Sequence, residues 1–324
     1  MKEIFNNWNK FVNEQQPKTA EQRLDMFARA VLDLNTAADD KKWQTVKARA
    51  SKFPLNKVAN MVRDKIYNTF DSDVGEKSFV RFAMANKEQF TSEKQISEQE
   101  VLEYYKSVVL PKIKKVIYEI PIVNVATTEA SQLYSPGVEF VAKRLQKGDV
   151  IGGFFGQFSG TPPFVGINPY AYIDDRGLPN IKEVTKAISE ELAHAVDGLI
   201  KVSNKVSKGY FFSDLLSGDI EKIIKKQEDT NLKDKDYYDY LKDPMETYAK
   251  LKVIKSELMG INKKLFFDDE GKIVLRHVKA YLEDPKNKDR HPILKVLNIQ
   301  KLEDIGKVLD QIARVDRQKT SQMA

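Results

Sequence analysis

The chain has 324 residues, of which 41% are hydrophobic and 31% charged, with 53 basic and 47 acidic side chains for a net charge of +6. That length and apolar fraction suit one large domain or two smaller ones with a real core, and no apolar run approaches the roughly 20 residues a membrane span needs. Cysteine is absent, which excludes disulfides, thiolate catalysis and Cys-type zinc sites.

Ile4, Phe5, Trp8, Phe11 and Val12 recur at helical spacing and predict a short amphipathic helix over 1–16, either a detachable segment or a helix docked on the body. This opening has no continuous apolar stretch and no small-residue cleavage site, so it does not read as a secretory signal. Residues 17–115 read as a helical region. Leu24, Phe27, Ala28, Val31 and Leu32 form one stripe, and Ser97 with Glu100 makes a capping box ahead of Val101, Leu102, Tyr105 and Val108. Pro111 ends or kinks that helix. From about 116 the texture changes. The β-branched run Val116–Val125 predicts a strand, and a helix follows around Val138–Leu145. A turn at Gly148-Asp149 leads into a strand over Val150–Phe158, and another strand is expected at Phe164–Asn168, giving a small, mainly antiparallel sheet. Asn180 caps a helix reaching about Leu199, with Glu183 at its third position. Asp243-Pro244 opens a helix through about Leu258. A hairpin over Leu265–Leu275, turning at Asp269-Glu270-Gly271, precedes a last helix, Leu302–Val315, and a polar tail from Arg317. The expected fold class is α+β and mostly helical, in segments 1–16, 17–115, 116–260 and 261–324.

The chemistry concentrates in Ile188-Ser189-Glu190-Glu191-Leu192-Ala193-His194-Ala195-Val196-Asp197. On a helix Glu190 and His194 share a face, Asp197 follows on the same side, and Glu191 is rotated by about 100° from Glu190. Val184, Ile188, Leu192, Ala195, Val196 and Leu199 make the opposite, apolar face, as on any surface helix. No lysine or arginine occurs between Lys186 and Lys201, which favours a cleft. The segment resembles the zincin metallopeptidases of the gluzincin pattern, HExxH plus a downstream glutamate, over roughly residues 117–258. The motif here reads EELAH, so Glu190 stands where that family has its first histidine. The resemblance implies His194 as second ligand, Glu191 as the general base and Glu246, in Asp243-Pro244-Met245-Glu246-Thr247-Tyr248-Ala249, as third ligand. It also implies a sheet edge along the cleft, at GGFFGQF and PFVGINPYAY, able to pair with an extended peptide. Glu246 has a simpler explanation as well, because a carboxylate in a first helical turn favours the helix dipole. Asp197 is expected as a partner that orients a metal ligand, as an exposed acid, or as an alternative ligand.

Two carboxylates on the ion leave it less electrophilic than two imidazoles do, and open a zinc site to manganese or iron. Either a divalent metal acts in peptide hydrolysis, or the site has lost its metal and the fold serves as a scaffold. His277 and His291 lack metal spacing and are structural or exposed. Tyr210 or Tyr248 is available to stabilise an oxyanion. Phe154, Phe155, Phe158 and Phe164 are core or cleft wall, and Gly152, Gly153, Gly156 and Gly160 match no phosphate loop. Lys114-Lys115 and Lys225-Lys226 either touch phosphates or line a solvated face, and no nucleic-acid motif accompanies them. The opening MKEIFNNWNKFVNE looks like the N-terminal helices of virion proteins in large tailed bacteriophages, which are cut after an apolar-x-Glu site; Val12-Asn13-Glu14 fits that pattern. The resemblance implies a structural or packaged virion protein with capsid or tail partners. The expected location is then cytoplasmic or virion, with no membrane contact. A nucleic-acid-associated protein is the least favoured class.

Overall fold

A helix starts where side chains can satisfy its unpaired N–H groups. In the computed structural model, which describes residues 19–34, 36–85, 96–146, 150–174, 176–199, 218–225, 240–268 and 273–312, Thr19 does this for α1 (Ala20–Val31). Its hydroxyl accepts from Gln22 N at 3.1 Å, while Gln22 Oε1 accepts from Thr19 N at 3.0 Å. Next come α2 (Asp40–Ser51), α3 (Leu55–Phe70) and α4 (Asp73–Ala85). The capping box expected at Ser97 is present at the start of α5 (Glu98–Tyr104), with Glu100 N donating to Ser97 Oγ at 3.2 Å and Ser97 N to Glu100 Oε2 at 2.8 Å. Pro111 does not end the helical run. The chain widens into a π-turn at Tyr105–Val109, where Leu110 N donates to Tyr105 O, and continues as α6 (Leu110–Glu119). A wider turn accommodates a residue that has no N–H and crowds the carbonyl four positions back.

The strand expected over all of Val116–Val125 is corrected. Its first part belongs to α6, and only Ile122–Asn124 is extended, as β1. Ile113 and Ile117, four apart, are both fully buried, so burial on a helical period overrides β-branched propensity. The helix stops just ahead of Pro121, which disfavours helical backbone at the residue before it.

The chain forms two compact units, each assembled from two stretches. The first comprises Met1–Val62 and Ile120–Leu192. Its sheet has the order β1-β3-β2, with β2 spanning Gly153–Gly156 and β3 Phe164–Ile167. β2 pairs antiparallel with β3, and β1 pairs parallel with it, Ile122 opposite Val165. The sheet is therefore mixed rather than mainly antiparallel. Between β1 and β3 the chain passes through α7 (Thr128–Leu133), α8 (Ser135–Gln146) and β2, a connection long enough to return a strand in the same direction. All four residues of β3 are buried. The core joins Leu24, Phe27 and Ala28 of α1 to Val138, Val141 and Ala142 of α8. Phe154, Phe158 and Phe164 stack within it, Phe154 edge-on to Phe164 with centroids 5.6 Å apart, a favourable aromatic arrangement. α9 (Ile181–Leu199) begins in this unit and ends in the second.

The second unit comprises Arg63–Glu119 and Ala193–Ala324. It contains α10 (Pro244–Phe266), α11 (Leu275–Glu283), α12 (Pro285–Arg290) and α13 (Leu302–Ile312). Leu251, Ile254 and Leu258 of α10 and Ile305, Val308 and Leu309 of α13 are all buried. The buried Tyr105 hydroxyl donates to Phe70 O at 2.9 Å. The expected hairpin is reduced to one antiparallel bridge, Phe267 with Ile273, because Leu265 and Phe266 stay in α10. Its turn at Asp269-Glu270-Gly271, the 1–16 helix, the Gly148-Asp149 turn and the tail from Arg317 lie outside the described residues. Among the described residues no helix is long and apolar enough to cross a membrane.

Candidate metal centre

α9 is positioned by its cap and its apolar face. Asn180 Oδ1 accepts from Lys182 N at 3.1 Å and from Glu183 N at 3.4 Å. Val184, Ile188, Leu192, Ala195 and Val196 are fully buried. Burying that face leaves Glu190 and His194, four residues apart, side by side on another. α10 is set by a second local device. Asp243 Oδ1 accepts from Met245 N at 2.8 Å, Pro244 opens the first turn, and Thr247 Oγ1 donates to Leu241 O at 2.6 Å. Glu246 is held in that first turn.

One carboxylate oxygen each from Glu190 and Glu246 and one His194 ring nitrogen lie within 4.8 Å of one another. His194 Nε2 is 3.6 Å from Glu246 Oε2, and the two side chains are only 7% and 14% exposed. That distance is long for a hydrogen bond. It is close to the roughly 3.3 Å expected between two atoms each about 2 Å from a tetrahedral zinc. Two carboxylates and an imidazole suit a divalent ion, so Glu190, His194 and Glu246 can hold one. The Tyr240 hydroxyl donates to the same Glu246 oxygen. Burial pushes the Glu246 carboxyl up, but His194, the Tyr240 hydroxyl and the Lys250 charge outweigh it and hold the group below its ordinary value.

Glu191 is 9% exposed and faces the sheet. A Cβ at Gly153, on β2, would stand 3.1 Å from Glu191 Cγ and 3.3 Å from Oε1; the missing side chain lets the strand backbone approach the carboxylate. Burial raises the neighbouring Tyr172 hydroxyl far above its ordinary value, and the charges of Glu191, Glu190 and Glu183 raise it further.

Asp197 is fully buried and lies outside the three-residue group. Its charge acts on Tyr248 and Lys252. Lys252 Nζ donates to Tyr248 Oη at 3.3 Å and sits 3.7 Å from the centroid of the Phe70 ring. Tyr248, one of two tyrosines considered for an oxyanion, is thus packed in the core at 1% exposure; the other, Tyr210, lies outside the described residues. His291 is structural, with Nε2 2.7 Å from Glu257 Oε2 and Arg290 binding Oε1 of the same carboxylate at 2.8 Å. His277 Nε2 accepts from Arg276 Nε at 3.1 Å. Lys114 lies 5.6 Å from the Tyr67 ring centroid, and Lys225 Nζ donates to Lys295 O at 3.3 Å.

Comparison with protein-family models, curated proteins and solved structures gives no match for this chain. The functional reading rests on the residues themselves.

Sequence reasoning did not single out Lys252 or Tyr240. Lys252 lies on α10 between Leu251, Val253 and Ile254, and a lysine in an apolar run was the available signal. Burial pushes its amine down to about 7 from 10.5, partly opposed by Asp197. The folded chain releases this proton near pH 7, while the unfolded chain keeps it to about 10.5. Between those values the unfolded state binds more protons, so this group makes stability rise with pH. Urea midpoints of the native chain are expected to rise across pH 7.5–9.5 relative to those of Lys252→Met; parallel pH profiles would contradict this.

Proposed function

We propose that the chain is a zincin-like protein whose Glu190, His194 and Glu246 hold a divalent metal, zinc or a competitor such as manganese, for peptide-bond hydrolysis. The observation that carries this reading is the convergence of three ligand atoms from α9 and α10 within 4.8 Å. The bound ion would lower the pKa of its water and polarise the scissile carbonyl. Glu191, next to Glu190 and rotated off its face, would take the water's proton. The antiparallel β2, at the sheet edge and against Glu191, is placed to pair with an extended peptide as a further strand. The donor set binds metal more readily than it activates water, because two carboxylates reduce the ion's Lewis acidity.

A second reading is a catalytically silent zincin scaffold in a phage particle. It is favoured by Glu190 in the histidine position and by the Tyr240 hydroxyl, which donates to a Glu246 oxygen and so gives the carboxylate a partner without an ion.

Metal content per chain, followed by cleavage of an unfolded protein substrate, separates the two. Glu191→Gln is expected to keep the metal and lower turnover by about 10²–10⁴-fold, the usual worth of a general base. A metal-free chain at neutral pH would refute the metal site. A metal-loaded native chain with no cleavage would leave the silent scaffold.

A further inference from the structure

The first unit carries a groove of about 760 Å³ that includes none of the metal ligands, lined by α2 and by the start of α9 with the loop before it. Its basic wall is Lys41, Arg49 and Lys52; Thr45, Ala48, Arg49 and Lys52 follow Lys41 by four, seven, eight and eleven positions, on one helical face. Its apolar wall includes Phe53, Leu178 and Ile181. Leu178 is 36% and Ile181 57% exposed, unusual for such side chains.

The apolar wall is built. Asp174 Oδ1 accepts from Arg176 N at 3.0 Å and Leu178 N at 2.9 Å, and Ile173 bridges Pro179. Gly177 sits at φ +72, where a Cβ would meet Val46 Cγ2 at 2.9 Å. The loop is thereby pressed onto α2 with Leu178 displayed at the groove. Among the described residues the basic wall forms no ion pair. Arg23, Arg29, Lys47, Arg176 and Lys186 of this unit each reach a carboxylate. Among the described residues no ion pair joins Lys41, Arg49 or Lys52 to an acid, and no acid lines the groove; Arg49 donates only to Arg176 O, at 3.4 Å.

We propose that this groove docks a short segment of a partner protein in which aliphatic side chains alternate with aspartate or glutamate. The volume falls in the range of peptide and drug-sized sites, about 300–1,000 Å³. The cations run along α2 to its C-cap, Lys52, and the eleven residue steps from Lys41 to Lys52 cover roughly 17 Å, about the reach of five extended residues. That spacing fits carboxylates distributed along a peptide better than the single charge of a lipid headgroup.

The test is selection of random heptapeptides on the full chain, with counter-selection on the Arg49→Glu/Lys52→Glu variant. The best peptide is then measured by fluorescence anisotropy. Expected are peptides rich in acidic and aliphatic residues that bind the native chain at least about tenfold more tightly than either the double variant or Ile181→Asp, with affinity falling as salt rises. Recovery of no peptide, peptides without acidic bias, or equal binding to the variants overturns the proposal. So does variant-sensitive binding to phosphatidylserine vesicles without peptide binding, which would make the groove a lipid site.

Discussion

His194→Ala is expected to abolish stoichiometric binding of zinc or manganese, weakening affinity by at least about 100-fold, since loss of even an outer partner of a ligand costs 10–100-fold. His194 is the only imidazole in the group and lies 3.6 Å from Glu246 Oε2; without it two carboxylates from different helices remain. Isothermal titration and thermal melts provide two readouts. A metal present at one hundred times its dissociation constant stabilises the native state by about 2.7 kcal/mol, and that metal-dependent rise in Tm should vanish in the variant. Glu246→Gln should behave alike, since it keeps the shape and removes the charge. An undiminished metal effect in both variants would show that ions bind elsewhere.

Asp197→Ala is expected to cost about 1 kcal/mol more at pH 6.5 than at pH 9, since an amine held to about 7 escapes the loss of its supporting charge by releasing its proton at about that cost. Asp197 is fully buried, and its charge is among those that support protonated Lys252, which rests against the Tyr248 hydroxyl and the Phe70 ring. The cost should shrink at pH 9, where Lys252, held to about 7, sheds its proton. Adding Lys252→Met to Asp197→Ala should recover part of the loss, because the orphaned cation goes with it. Urea unfolding of the native chain, both single variants and the double variant at the two pH values closes the cycle. Strictly additive losses, independent of pH, would sink the account.

The features legible in the sequence share a short range. Ser97 and Asn180 cap helices through partners two or three residues away, so the chemistry of a cap is written in one short window. Glu190 and His194 could be placed on one face because helix geometry fixes what lies four residues apart. Glu246 was reachable only through the resemblance of Asp243–Ala249 to a downstream zincin segment, since nothing local ties it to a residue more than fifty positions earlier. The β-branched run at Val116–Val125 misled for the opposite reason. Propensity is local, but Ile113 and Ile117 were drawn into a helix by the side of the chain that is buried.

The residue pattern alone determined a mostly helical α+β chain, the start of its principal helices and the shared face of Glu190 and His194. Tertiary structure alone decided that β1 runs parallel to β3, that each compact unit is stitched from two separated stretches, that Asp197 is fully buried where its charge acts on Lys252, and that Glu246 arrives beside His194. Hydrogen bonds and periodicity act over a few residues and are readable in order. Burial and charge pairing act between residues that are neighbours only after the chain has closed loops of many tens of residues.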